Sequence, residues 1–145
     1  MDPKRFAVGT LVGGVVLYAV GYVIFTRAFA DFYAANAGSA TGVDRGVGEL
    51  FWPVALASLA YAALVTFAIG NRVGPLSIGQ GATIGAIVGF LLWFTADFNL
   101  YGTTNIANLT RTLVDPVLEF VHGGIGGAAI AAVLMRMPAS GRNPA

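Results

Sequence analysis

DFNLYGTTNIANLTRTLVDPVLEFVHGGIGG, residues 97–127, contains most of the polar chemistry of an otherwise apolar chain. It includes the only histidine, His122, and three of the seven acidic residues. The pair Asp115-Pro116 is typical of a helix start, because Asp can accept hydrogen bonds from the first free amides and Pro has no amide hydrogen to leave unpaired. We therefore expect an outer loop over residues 97–115 and a helix that begins at residue 116.

The composition of the 145-residue chain indicates a protein embedded in a lipid bilayer. Hydrophobic residues make up 57% of it, charged residues 10%, and the mean hydropathy is +0.76. A soluble domain carries roughly 25% charged residues, so this surface must face an apolar medium. The net charge of +1 comes without a basic cluster, which argues against nucleic acid as a partner. The absence of cysteine excludes disulfides, thiolate metal ligands and cysteine nucleophiles.

Four apolar runs have about the 20 residues that a helix needs to cross the hydrocarbon core. They predict one all-α domain, a polytopic four-helix transmembrane bundle, with helices at about 6–27, 50–70, 76–96 and 116–136 and outer loops at 31–49 and 97–115. The first run is too long for a signal-peptide core, and Arg27 separates it from the cleavage-like Ala28-Phe29-Ala30. We expect it to be retained as the first span.

The distribution of Lys and Arg predicts the orientation of the bundle. The side that holds both termini and the second loop has five: Lys4, Arg5, Arg72, Arg136 and Arg142. The opposite side has three: Arg27, Arg45 and Arg111. We therefore predict cytoplasmic termini in a multi-pass protein of the cell membrane, of the bacterial inner-membrane type. The opposite end is then acidic, with Asp31, Asp44, Glu49, Asp97, Asp115 and Glu119.

Small residues recur at steps of four in the last two predicted helices. The third has Gly81, Gly85 and Gly89, a doubled GxxxG pattern, and the fourth has Gly123 and Gly127. Small residues let membrane helices approach closely. We expect these glycines to pack the helices of one bundle together; a homodimer interface is the alternative.

Glu119 and His122 are the best candidates for a functional site. Three residues apart, they lie on one face of a helix, within the predicted hydrocarbon region. An ionisable pair at that depth must face the bundle interior, a partner or water. Asp97, Asp115 and Asn99 are expected nearby, at the outer end of the bundle.

Three interpretations of this pair remain open. Glu-x-x-His is a metal-ligand spacing, but a di-iron bundle needs two such motifs and further glutamates, so we expect no metal. The second is proton or ion handling, because ionisable groups inside membranes are often functional. The third is structural: Glu119 pairs with Arg27, Arg45 or Arg111, and His122 bonds a carbonyl near the glycines.

An internal duplication is suggested when the chain is shifted by 66 residues. Ala30-Asp31-Phe32 then falls on Ala96-Asp97-Phe98, and Arg45 falls on Arg111. Each half would consist of a helix, an acidic loop and a second helix in the same orientation, a parallel repeat of the kind found in some transporters.

The second half also resembles a group of small bacterial four-helix integral membrane families described as domains of unknown function. The resemblance covers Gly81 to Ala132 and rests on four segments: GAIVGFLLW at 85–93, ADFNL at 96–100, NIANL at 105–109 and LVD at 113–115. It implies a fold and a membrane location and no activity.

These patterns predict a non-enzymatic membrane protein without a cofactor. Its polar site, at the outer end of the bundle, would bind or pass a proton, a cation or a small ligand. A structural or accessory subunit of a larger membrane complex, or a homo-oligomer, is the second reading. A membrane enzyme that uses Glu119 and His122 is the third.

Overall fold

The computed structural model describes residues 1–45 and 50–137, and its regular structure in these ranges is helical. The elements are α1 (Pro3–Gly21), a π-helical segment (Tyr22–Ala28), α2 (Ala30–Ala35), α3 (Phe51–Gly70), α4 (Ile78–Thr103) and α5 (Leu109–Met135). Four stretches are long and apolar enough to cross a membrane: α1 with its π-helical segment, α3, α4 and α5. The prediction of an all-helical chain compatible with an integral membrane protein is confirmed. Glu49 with the rest of 46–49, and the tail with Arg142, lie outside the described residues.

α5 is the most buried of the four long helices. It packs most extensively against α4, while α1 packs against both α3 and α5. The apolar core consists of Leu17, Tyr61, Ala62, Val65, Ile69, Ile130 and Leu134. Elsewhere, large apolar side chains such as Val15 are exposed, as expected of a surface that faces lipid.

Glycines lie where α4 crosses α5. A Cβ atom added to Gly85 would overlap the carbonyl oxygen of Gly123, and one added to Gly81 would overlap that of Gly127. Gly89 lies against the carbonyl of Glu119 in the same way. The crossing thus brings the two backbones together within a single chain.

The expected outer loop at 97–115 is much shorter in the structure, and this prediction was wrong. α4 continues to Thr103 and α5 begins at Leu109. The hydroxyls of Thr103 and Thr104 donate to carbonyls one turn earlier in α4, which accommodates these polar residues on the helix. Asn108 is the true N-cap of α5, since its side chain accepts a hydrogen bond from the amide of Arg111 at 2.9 Å.

Asp115-Pro116 therefore lies inside α5 and does not start it. Proline removes one helical hydrogen bond and crowds the carbonyl four residues earlier, yet α5 continues across it with Pro116 fully buried. Packing on α1 and α4 outweighs the local preference. His122 consequently lies at the centre of the Leu109–Met135 helix, roughly 20 Å from its start at 1.5 Å per residue. The expected position near the outer end is corrected to the middle of the helix.

Two connections pair at the end of the bundle where α2 lies, which we call the α2 end. The amide of Gly38 donates to Ile106 O at 3.1 Å, that of Ala40 to Asn105 O at 3.0 Å, and that of Asn108 to Asn36 O at 3.2 Å. The opposite end contains the α3–α4 turn and the start of α1, where the guanidinium of Arg5 donates to Met137 O at 2.9 Å.

Candidate functional site

Glu119 and His122 form a direct contact in the interior of the bundle. His122 Nδ1 lies 2.8 Å from Glu119 Oε2. His122 is only 6% exposed and Glu119 only 3%. Because they are three residues apart, both side chains lie on one side of α5. That side is buried, so the two polar groups are shielded from solvent.

The second imidazole nitrogen defines the tautomer of His122. Nε2 lies 2.8 Å from the carbonyl oxygen of Leu17 in α1. A carbonyl oxygen only accepts, so Nε2 must carry a hydrogen. Nδ1 then either accepts from a protonated Glu119 or donates to an ionised one. In both cases the Nδ1–Oε2 contact contains one proton, and His122 links α5 to α1.

Aromatic rings and a glycine enclose the imidazole. The ring centroids of Phe25 and Tyr61 lie 5.6 and 5.7 Å from that of His122, both nearly edge-on. A Cβ added to Gly21 would lie 3.2 Å from His122 Cε1, a tight contact that the ring could accommodate only by shifting a few tenths of an ångström. Water has little room around the pair, which strengthens its electrostatic interaction.

Phe25 lies within the π-helical segment that follows α1. The amide of Phe29 bonds Ile24 O at 2.9 Å, the wider i→i+5 pattern. Such segments are rare and often occur at functional sites. Here the segment presents Phe25 to His122 and also to Tyr33 of α2, whose ring centroid lies 5.8 Å away.

A second polar layer lies one turn from Glu119 toward the α2 end. Asp115 is buried, and the hydroxyl of Tyr33 donates a hydrogen bond to its Oδ1. The guanidinium carbon of Arg111 lies 4.9 Å from the Tyr33 ring centroid, a cation–π contact. Asp115 also interacts electrostatically with Glu119. Arg111, Asp115 and Glu119, spaced by four, form a continuous polar face on α5.

Asp97 extends this face onto α4. It interacts electrostatically with Arg111 and Glu119. Its Oδ2 is buried and has no hydrogen-bond partner in the described ranges. Asn99, by contrast, has an exposed side chain on α4. The structure thus brings Glu119, His122, Asp115 and Asp97 to one region and leaves Asn99 out of it.

Three groups that contribute to the site were not predicted from the sequence: the Leu17 carbonyl, Tyr33 and Tyr61. The Tyr61 hydroxyl is buried against Gly89 and Gly123, and it too has no hydrogen-bond partner within 1–45 and 50–137. It interacts electrostatically with Glu119. The signal for Tyr61 in the sequence is that it is the single tyrosine of the predominantly apolar α3, whose other hydroxyl side chains are Ser58 and Thr66.

The partner of Glu119 differs from the one expected of a structural role, whereas that of His122 agrees in kind. Glu119 contacts His122 instead of an arginine, and His122 bonds the backbone carbonyl of Leu17 in α1, whose side chain lies against Gly126. In the part of the chain that the structure describes, no three His, Asp or Glu side chains are grouped to hold a metal ion.

Comparisons with protein-family models, with curated proteins and with solved structures found no match to this chain. The resemblance of residues 81–132 to small bacterial membrane families stays a prediction.

Proposed function

We propose that this protein is an integral membrane protein that binds and releases a proton at the Glu119–His122 pair. The supporting observation is the 2.8 Å Nδ1–Oε2 contact at the centre of α5, with Nε2 held by Leu17 O. Without the proton, the Nδ1 lone pair would face a carboxylate oxygen. Release of the proton therefore weakens the Glu119–His122 contact within α5, which orients the imidazole whose Nε2 bonds Leu17 O of α1.

A proton fits this site better than a cation or a small ligand. Both imidazole nitrogens and one carboxylate oxygen are already engaged by the chain itself. A larger ligand would have to displace one of these contacts, whereas a proton occupies the contact that exists.

Exchange is expected from the α2 end. Asp115 and Asp97 lie on that side of the pair and offer carboxyl groups as relay points. On the other side lie the apolar core residues Val65, Ile69 and Ile130, with the buried hydroxyls of Thr10 and Thr66 between the helices. Because these two carboxyl groups lie on the α2 side of the pair and two hydroxyls are the polar groups named on the other, proton exchange is expected from the α2 end.

The orientation and location belong to the same proposal. The Lys and Arg distribution favours cytoplasmic termini, so the α2 end faces the outside of a bacterial inner membrane. The two-helix repeat remains a hypothesis. Ala30-Asp31-Phe32 begins a short helix, whereas Ala96-Asp97-Phe98 lies inside α4.

Nitrogen NMR tests the proton site directly. His122 is the only histidine, so ¹⁵N-histidine labelling gives imidazole signals that need no assignment. In lipid nanodiscs we expect Nε2 to stay protonated while the Nδ1 signal changes as the pH is raised from acidic to alkaline. Glu119→Gln should abolish the change, because an unpaired imidazolium in the membrane interior is costly.

A methyl group added elsewhere on α5 provides the control. Gly124→Ala places its Cβ in ordinary contact, 3.5 Å from that of Ala86, and should leave the pH response intact. If the wild-type Nδ1 signal is the same at both ends of the pH range, the proton site is disproved.

The second candidate is an accessory subunit in which the pair is a fixed link between α1 and α5. It is favoured by the engagement of both His122 nitrogens within the chain. Under this reading, Glu119→Gln lowers thermal stability while the wild-type signals show no pH response. Substitutions at Gly85 or Gly127 do not test a partner interface, since both glycines face the α4–α5 crossing.

A further inference from the structure

A groove at the end opposite α2 takes no part in the proposed proton site. It has a volume of about 450 Å³ and lies beside the turn between α3 and α4. Its lining combines polar side chains with the apolar Val73 and Ile84; the polar ones are Arg72, Ser77, Gln80 and Thr83. We call it the Arg72 groove.

Arg72 has unused hydrogen-bonding capacity in this groove. Its Nη1 donates to Ile69 O at 2.9 Å, which anchors the side chain at the C-terminal end of α3. Its Nε is buried and has no partner among the residues described. A guanidinium offers five N–H donors in a planar fork, so the Nη hydrogens that do not cap α3 remain available to a ligand.

Among the residues that the structure describes, no acidic side chain compensates the charge of Arg72. The lining of the groove includes no acidic side chain. Across 1–45 and 50–137, no carboxylate forms an ion pair with Arg72. The groove therefore favours an anion, and the positive end of α4, which starts at Ile78, favours the same charge.

The position along the membrane identifies the anion. Arg72 lies two residues beyond the end of α3 at Gly70, and thus at the level of lipid headgroups. Val73, which is 95% exposed, and Ile84 extend the lining with apolar surface. Phosphate groups with attached acyl chains occupy this level, and basic pockets between membrane helices bind anionic headgroups. Arginine is suited to phosphate oxygens by geometry.

We infer that the Arg72 groove is a binding site for the phosphate group of an anionic phospholipid. The guanidinium donates to the phosphate oxygens, and the acyl chains extend along the apolar surface of α4. The site would hold a lipid of the leaflet at this end of the bundle, independently of the proton site.

Native mass spectrometry of the purified full chain tests the site. Phosphatidylglycerol is titrated against a diacylglycerol with the same acyl chains, which lacks the phosphate. We expect retention of phosphatidylglycerol alone, reduced about tenfold by Arg72→Gln because a charge-assisted hydrogen bond is lost. Arg136→Gln is the matched control, as Arg136 is exposed at the same end of the bundle and outside the lining of the groove.

A second variant distinguishes a loss of lipid binding from a loss of fold in Arg72→Gln. A Cβ at Gly79 would meet only Ser77 Oγ, at 4.0 Å, so Gly79→Leu fills the groove and leaves Arg72 and its bond to Ile69 in place. The same loss of phosphatidylglycerol is expected. Equal retention of the two lipids, or wild-type retention by Gly79→Leu, would overturn the proposal. Binding of inorganic phosphate without retention of the lipid would overturn it as well.

Discussion

His122 joins two helices through two different nitrogens, and only one of these contacts was accessible to sequence reasoning. The Glu-x-x-His spacing predicted that the two side chains share a face, because helix geometry alone fixes it. The Leu17 carbonyl could not be predicted, since every residue has a carbonyl and only the packing of α1 on α5 selects this one. The Tyr33–Asp115 bond likewise joins distant parts of the chain.

A double-mutant cycle measures how far Glu119 and His122 depend on each other. His122→Leu leaves a buried carboxyl without its partner and should lower the free energy of unfolding by roughly 3–5 kcal/mol. Glu119→Leu should also be costly. The double variant replaces both polar groups with apolar ones and should cost clearly less than the sum. Chemical unfolding in detergent provides the measurement; additive costs would show that the pair is not coupled.

The helices themselves were largely predictable, because length and hydropathy depend on the bilayer and not on tertiary detail. The boundaries of the helices at the α2 end of the bundle were not predictable from the sequence. Asp115-Pro116 has the local signature of a helix start, yet Asn108 caps α5 and the helix tolerates a buried proline in its interior. The π-helical segment left no sequence signal, as nothing in Tyr22–Ala28 distinguishes it from an α-helix.

The α4–α5 crossing gives a prediction at the level of elements. Gly85→Ala would place a methyl group on the backbone of Gly123 and Gly127, which cannot rotate away. We expect a loss of roughly 1–3 kcal/mol from the overpacked contact. Gly124→Ala, with its nearest atom 3.5 Å away, should be neutral or slightly stabilising. The measurement is the thermal unfolding temperature of each variant. Equal changes in the two variants would argue against a specific close approach of the α4 and α5 backbones at Gly85.

At the scale of the whole molecule, a bundle whose four candidate helices all cross the membrane has the start of α1 and the end of α5 on one side. The chain has no cysteine, so single introduced cysteines report accessibility without background. Ser39 lies at the α2 end and Val73 at the opposite end, and both are exposed.

We expect Ser39→Cys to react with an impermeant maleimide in intact cells and Val73→Cys to react only after permeabilisation. Labelling of both residues from one side would contradict the four-span arrangement. The reverse pattern would invert the orientation and place the α2 end in the cytoplasm.

The hydrogen bonds at the two ends of the bundle have a mechanical consequence for α1. Residues 36–40 are bonded to 105–108 at one end, and Arg5 is bonded to Met137 at the other. The segment that follows α2 and the start of α1 are thus bonded to the two segments that flank α5, while the Leu17–His122 contact lies between these ends. If that contact opens, we expect α1 to move more at its middle than at its ends, and to bend at the wider turns that begin at Tyr22.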